Sequence, residues 1–252
     1  MRIAHVSDPH LLDLTGVRRS RLLLNKRLTG MVNIKLHRGG VHKREVVEAM
    51  MDDIRALRVD HVVITGDITN LALEPEFELA VAVFLRMGLH ADQVSVVPGN
   101  HDVYTQGAQR SQRFAGFFAA NITSDLTPAD RGDHPSGPFP FVRLRGEVAI
   151  IGLSTAVARL PLFASGHAGD KQLESLARML EHPEVARRTP VILTHHPLVN
   201  PQGFVGTFTH GLAEAARIRK ILQPLRHSIV LHGHLHDRGH RVLESGGSTL
   251  HH

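Results

Sequence analysis

Val62-Val63-Ile64-Thr65-Gly66-Asp67 is a β-branched run that stops at a glycine and a carboxylate. A short run with no polar alternation reads as a strand buried on both faces, the kind found in parallel sheets. The same grammar recurs on either side of it. Ile3–Ser7 leads into Asp8-Pro9-His10, and Val94–Val97 into Gly99-Asn100-His101-Asp102. Val191–Thr194 leads into His195-His196, and Ile229–Leu231 into Gly233-His234-Leu235-His236. Parallel strands deliver their carboxyl ends to one edge of a sheet, where ligands bind in open α/β folds. Seven nitrogen- and oxygen-donor side chains brought to such an edge can hold two divalent cations.

Composition narrows the chemistry. The chain has 252 residues, enough for one sizeable core, and a single domain over 1–252 is expected. No segment has the length of a transmembrane helix, and Met1–Asp8 makes a poor signal peptide because its apolar stretch runs straight into the first donor motif. A cytoplasmic location is expected, with peripheral membrane contact as the variant. The absence of cysteine excludes disulfides and thiolate metal sites. Imidazole, carboxylate and amide ligands favour manganese, iron or zinc over copper or an iron–sulfur cluster. A net charge of +5 suits phosphate groups, nucleic acid or an anionic membrane surface. Of the 20 histidines, His61, His134, His227, His240, His251 and His252 carry no motif and read as structural.

Helical periods fill the intervals between the strands. Lys43–Leu57 places Val46, Val47, Met50, Met51, Ile54 and Leu57 on one face. Glu74–Met87, Lys171–Leu180 and Leu212–Leu225 read similarly, with Asp170 the expected N-cap of the third. Alternation of strand and helix gives a layered α/β fold. Phe141–Arg145 and Val148–Leu153 around Gly146-Glu147 read as a hairpin, so a mixed sheet is expected. Leu11–His42, Ala120–Pro140 and Leu198–Gly211 are long connections expected over the ligand edge, where substrate choice usually resides.

Taken together, the five donor blocks resemble the calcineurin-like metallophosphoesterases, whose pattern is D-x-H, G-D, G-N-H-[DE], a lone His motif and G-H-x-H. Here the pattern stands as Asp8/His10, Gly66-Asp67, Gly99-Asn100-His101-Asp102, Thr194-His195-His196-Pro197 and Gly233-His234-Leu235-His236, in order over residues 8–236. The resemblance implies a four-layered α/β/β/α sandwich with mixed sheets and two divalent metal ions, Mn2+, Fe2+ or Zn2+. It implies that Asp8, His10, Asp67 and His236 hold the first metal, and Asp67, Asn100, His195 and His234 the second. Asp67 would bridge them, beside a Gly66 that lets the backbone approach closely. A hydroxide between the metals is the implied nucleophile, because coordination lowers the pKa of water. His101 is not a ligand in the family pattern; it would give a proton to the leaving oxygen or stabilise charge there, the alternative being a structural loop histidine. His195, rather than His196, takes the ligand place, and Asp102 is expected to fix its loop.

Departures from the pattern sharpen the resemblance. Three residues after Asp67, many protein phosphatases of the superfamily carry an Asp that orients the catalytic His, and purple acid phosphatases carry a Tyr. Asn70 stands there instead: it can accept a hydrogen bond but cannot offset an imidazolium charge, and the lone tyrosine is Tyr104. This is closer to the bacterial branch with cyclic-nucleotide and glycerophosphodiester phosphodiesterases. The expected activity is two-metal hydrolysis of phosphodiester or pyrophosphate bonds. After the last motif only residues 237–252 remain, where family members usually continue with strands that close the second sheet.

A basic insertion at about 12–42 carries Arg18, Arg19, Arg21, Lys26, Arg27, Lys35 and Arg38, with Leu24, Leu28, Met31, Val32 and Leu36 near helical spacing. It reads as a cap that packs on the core and keeps a solvated basic face. Its rival is a surface that meets anionic lipid, as a lipid-linked UDP-sugar pyrophosphatase would need. A nuclease is a further alternative, although aromatics at 4% leave few stacking platforms. A non-catalytic scaffold is disfavoured by the completeness of the donor set. No obligate protein partner is inferred.

Overall fold

A computed structural model describes residues 1–18, 20–23, 26–33, 44–126, 134–199, 209–245 and 248–252. Three strands, β1 (Ile3–Val6), β2 (His61–Ile64) and β3 (Val94–Val96), form a parallel sheet in the order β1-β2-β3. A second sheet joins β4 (Phe141–Arg145), β5 (Val148–Gly152), β6 (Thr189–Leu193), β7 (His227–Leu231), β8 (Val242–Ser245) and β9 (Ser248–His251) in the order β4-β5-β6-β7-β9-β8. Its interior pairs are parallel, and β4 and β8 close the two edges antiparallel.

Strand periodicity assigns the faces. Ile150, Val191 and Leu193 turn toward the first sheet and join a core with Val6, Val62 and Val96. Their neighbours Ala149, Ile151 and Ile192 turn the other way and join a second core. The described helices are α1 (Ser20–Leu23), α2 (Arg27–Asn33), α3 (Arg44–Leu57), α4 (Glu74–Phe84), α5 (Gln106–Arg110), α6 (Arg113–Phe117), α7 (Asp170–Glu181), α8 (Pro183–Ala186) and α9 (Ala215–Leu222). Met51 and Ile54 of α3 and Phe77 and Ala80 of α4 extend the first core, while Leu173 and Leu176 of α7 and Ile218 and Leu222 of α9 cover the second. The layers therefore run helix, sheet, sheet, helix, which is the expected α/β/β/α sandwich with mixed sheets. Among the described residues no helix is long and apolar enough to cross a membrane.

Several boundaries differ from expectation. α7 begins at Asp170, and its N-cap is Gly169 at φ 79°. Asp170 pairs with Arg217 instead, joining α7 to α9. The buried stripe of α3 is Val47, Met51 and Ile54, because Val46 and Leu57 are 62% and 57% exposed. α4 stops at Phe84 and tightens into a 3-10 turn over Leu85–Met87, and α9 keeps only the middle of its expected span. The hairpin β8–β9 had no counterpart in the sequence reading: β9 adds to β7, so residues after His236 do supply strands that widen the second sheet.

The insertion packs on the core through Leu14, Val17, Leu22 and Met31. Of its described basic residues, Arg27 turns inward, Arg21 and Lys26 are half-buried and Arg18 stays exposed. Arg27, 5% exposed, donates from Nε to the Leu71 carbonyl at 2.8 Å and from Nη2 to the Ala72 carbonyl at 3.2 Å. Arg21 pairs with Glu74 at 2.7 Å. The expected contributions of Arg19, Leu24, Lys35, Leu36 and Arg38 lie outside the described residues, as do 127–133 and 200–208 of the other two long connections.

Candidate metal centre

The carboxyl ends of β1, β2 and β7 bend sharply into their loops. Asp8, His10, Asp67, His234 and His236 hold left-handed φ values of 55°, 46°, 50°, 74° and 53°. Side-chain-bearing residues seldom adopt this region, and such strain collects at functional sites where the surroundings impose it. The imposing contacts are visible. Asp8 N donates to Gly66 O at 3.0 Å, and His10 N donates to Asp67 O at 2.9 Å, which splices the first two strand ends. Gly233 N donates to His195 O at 3.1 Å, and His234 N reaches the Asp8 carboxylate at 3.1 Å, which ties one sheet to the other. Asp67 sits where two glycines make room. A Cβ at Gly66, whose φ is 89°, would lie 2.5 Å from Gly99 N, and one at Gly99 would lie 2.2 Å from Asp67 Oδ1.

All seven residues singled out as ligands converge. Asp8, His10, Asp67 and His236 offer donor atoms that lie within 4.8 Å of one another, and Asp67, His195 and His234 form a second such group. Asp67 belongs to both. Asn100 Oδ1 completes the second group, 3.1 Å from His195 Nε2 and 3.1 Å from His234 Nδ1. His195 Nδ1 donates to the Thr65 carbonyl at 2.8 Å, which turns Nε2 inward, 3.4 Å from Asp67 Oδ2. His10 Nε2 approaches His236 Nε2 to 3.1 Å, and His195 Nε2 approaches His234 Nδ1 to 3.2 Å. Imidazole nitrogens this close repel through their lone pairs unless a proton or a cation lies between them. The donor set fits divalent cations.

Charge in the cluster points the same way. Although burial opposes it, His195, His101 and His10 together hold the Asp67 carboxyl well below the usual carboxylate range. Burial works against charge on His195 too, yet Asp67 and Asp8 draw that imidazole up to about 9. Burial, reinforced by His196 and His195, pushes His234 well below the ordinary histidine value. A buried carboxylate thus collects positive charge around itself, and a proton on His195 fills a place that a metal ion would take with release of that proton.

His101 borders the cluster. Its ring meets His10 edge to face, with centroids 4.9 Å apart, and its main-chain N–H donates to Asp67 Oδ1 at 2.8 Å. Its Nδ1 lies 2.7 Å from the main-chain carbonyl of Asn70. The orienting group is therefore Asn70's backbone, not its side chain, whose Nδ2 donates to the His10 carbonyl. Asp102 is fully buried and accepts from Thr69 N at 2.8 Å and Gly99 N at 2.9 Å, so it braces the loop as expected. His196 has both ring nitrogens engaged, with Thr155 Oγ1 and the Ala164 carbonyl, each at 2.8 Å. It stands outside both donor groups.

A family model for calcineurin-like phosphoesterases matches residues 1–238. The chain belongs to the calcineurin-like phosphoesterase family. A dimetal phosphatase from Danio rerio superposes on this phosphoesterase with a TM-score of 0.62 and 14% identity, over 100% of this chain and 86% of that one. Purple acid phosphatase PPD1 from yellow lupin (Lupinus luteus) seeds superposes with a TM-score of 0.54 and 15% identity, over 94% of this chain and 38% of that one. At these identities the likeness is one of fold. No curated protein matches the chain.

Two side chains near His101 in this phosphoesterase carry no motif signal. Tyr104 stacks on the His101 ring with centroids 5.0 Å apart, and Lys26 Nζ lies 4.6 Å from the Tyr104 centroid. Lys26 in the sequence is one member of a basic run, and only the tertiary fold separates it from the rest. Histidines read as structural do bond within the fold: His61 pairs with Ser95 Oγ at 2.9 Å, and His134 pairs with Ser136 Oγ at 2.7 Å.

Proposed function

We propose that this phosphoesterase hydrolyses phosphodiester or pyrophosphate bonds at a two-metal centre. The observation that carries the proposal is the convergence of seven donor residues into two groups that share Asp67. Asp8, His10, Asp67 and His236 would hold one ion, and Asp67, Asn100, His195 and His234 the other. When bound, two divalent cations, manganese, iron or zinc, neutralise phosphoryl oxygens and acidify a water at neutral pH. The protein supplies placement. Asp102 fixes the turn that carries Asn100 and His101, and the Thr65 carbonyl fixes the His195 tautomer. The Asn70 carbonyl accepts from His101 Nδ1–H, which leaves Nε2 to face the leaving oxygen, where the imidazolium form, protonated on both nitrogens, would give a proton. Asn70 stands where many protein phosphatases of the superfamily carry an aspartate, which favours diesters and pyrophosphates over the substrates of protein phosphatases. Arg27 is buried against the Leu71 and Ala72 carbonyls and Arg21 is paired with Glu74, so membrane contact is not part of the proposal.

The test is hydrolysis of bis(p-nitrophenyl) phosphate by chelator-stripped protein with manganese added back, beside an Asp67→Asn variant. Activity should return with metal and vanish in the variant. Absence of turnover with manganese, iron and zinc, in protein shown to hold two ions, would overturn the proposal.

A further inference from the structure

We infer that His240 and His251 form a third metal site, one that takes a divalent transition ion of the zinc type. The inference does not rest on the proposed hydrolysis. Neither residue belongs to the donor blocks, and neither is in the two donor groups already described. His240 Nε2 lies 3.2 Å from His251 Nδ1. That is the separation found inside the metal centre, where His10 and His236 approach to 3.1 Å and His195 and His234 to 3.2 Å. Two imidazole nitrogens at this distance need a proton or a cation between them. The backbone holds the pair in place. Arg241 N donates to His252 O at 2.7 Å and His252 N donates to Arg241 O at 2.8 Å, which carries the β8–β9 ladder past Val242. His251 faces Val242 across that ladder, and His240 stands two residues before Val242. Alternation therefore puts both imidazoles on one face of the hairpin, as diagonal neighbours.

The surroundings favour a cation. Among the described residues, His240 and His251 line a cavity of about 890 Å³ together with Asp8 and His236, two donors of the first group. Six of its fifteen lining residues are histidines, and Asp8 and Asp237 add carboxylates, against one guanidinium, Arg238. Imidazole and carboxylate are ligand types for zinc, iron and manganese, and paired imidazoles suit zinc. Other histidines on this wall already use a ring nitrogen in the fold. His5 Nε2 bonds with Thr65 Oγ1 at 2.8 Å, His232 Nδ1 donates to the Gly233 carbonyl at 3.0 Å, and His252 Nε2 accepts from Leu198 N at 2.9 Å. His240 and His251 instead turn nitrogens toward each other, with ring planes within 4° of parallel and centroids 5.5 Å apart. The His10 and His236 rings of the first group are tilted by 40° at 4.9 Å. Chelation at the outer pair therefore asks for a tilt of the rings, which the exposed His240 can make, with solvent at hand to complete a shell of four. The competing occupant of the gap is a shared proton.

The experiment counts metal. Manganese-loaded wild-type, His240→Gln, His251→Gln and Asp67→Asn proteins are dialysed against zinc at one free concentration, and manganese plus zinc per chain is read by elemental mass spectrometry. Glutamine keeps a polar side chain at these sites but is a poor zinc ligand. Wild type should hold one ion more than either histidine variant. Asp67→Asn should keep that ion while losing metal from the two donor groups. Calorimetric zinc titration of the manganese-loaded proteins should show one binding event in wild type that is missing from both histidine variants. Equal metal content in wild type and the two histidine variants would overturn the inference and leave the gap to a shared proton. An extra ion that departs with Asp67→Asn and stays in both histidine variants would belong to the two-metal centre, and would overturn it as well. The count does not depend on turnover. Failure to hydrolyse bis(p-nitrophenyl) phosphate alongside a zinc ion that is lost only with His240 or His251 would therefore sink the proposed function and leave the third site standing.

Discussion

Asp67 must touch both donor groups while its own backbone holds a left-handed φ of 50°, and its neighbours are chosen for that. Gly99 cannot carry a side chain, because its Cβ would fall 2.2 Å from Asp67 Oδ1. We expect Gly99→Ala to push the shared carboxylate out of place and to lower bound manganese from two ions per chain to one or none, read by elemental mass spectrometry after dialysis. Two ions retained at wild-type affinity would show that Asp67 does not depend on this close approach. His101 sits beside the donors without belonging to them. His101→Asn should keep both ions and lose about 10²- to 10⁴-fold in kcat, the usual worth of a positioned acid. The donors were legible in the sequence because each is a residue type with ligand chemistry placed at the end of a buried strand. Lys26 and Tyr104 were not, since an ammonium over a phenol ring joins positions far apart in the chain and leaves no local pattern.

At the scale of elements, hydrophobic period told strands from helices correctly, and ends were decided by contacts that the period does not contain. Val62–Ile64 is fully buried, as its unbroken β-branched run implies. Gly169, rather than Asp170, caps α7, because Asp170 is drawn to Arg217 across to α9. β8 and β9 escaped the reading although Val242-Leu243 and Thr249-Leu250 flank Gly246-Gly247, a recognised hairpin signal. The insertion helix α2 shows most clearly how an element is fixed by tertiary polar contacts. Arg27 supplies donors to two main-chain carbonyls of the loop that carries Asn70, and to Thr105 Oγ1 at 3.3 Å. We expect Arg27→Met to cost about 2–3 kcal/mol of stability in denaturant titration, the range for hydrogen bonds to a charged group with their acceptors left buried. A loss below about 0.5 kcal/mol, typical of exposed sites, would show that α2 is held by its apolar contacts alone.

For the whole molecule, buried neutral histidines set the response to acid. His61 is fully buried at the start of β2 and shares a hydrogen bond with Ser95 Oγ; burial, with Arg145 and Arg143 nearby, lowers it to about 3. Burial and His232 lower His5 to about 4, and the same two causes, with Arg241 and Arg219, lower His252 to about 3. In the unfolded chain each of these groups titrates near 6.5. A folded value below the unfolded one means that, between the two, the unfolded state binds the extra proton. The stability these side chains contribute is present above pH 6.5 and is lost as pH falls toward 4 and then 3. Each group adds a slope of up to about 1.4 kcal/mol per pH unit within that window. Metal-free protein should therefore lose stability steeply from pH 6 to pH 4.5 in urea titrations. His61→Gln, which can keep a hydrogen bond to Ser95, should flatten that slope by about one proton's worth while leaving the slope above pH 7 as in the wild type. An identical slope in the variant would mean that His61 is protonated in the folded protein, and that the start of β2 is more open to water than its burial shows.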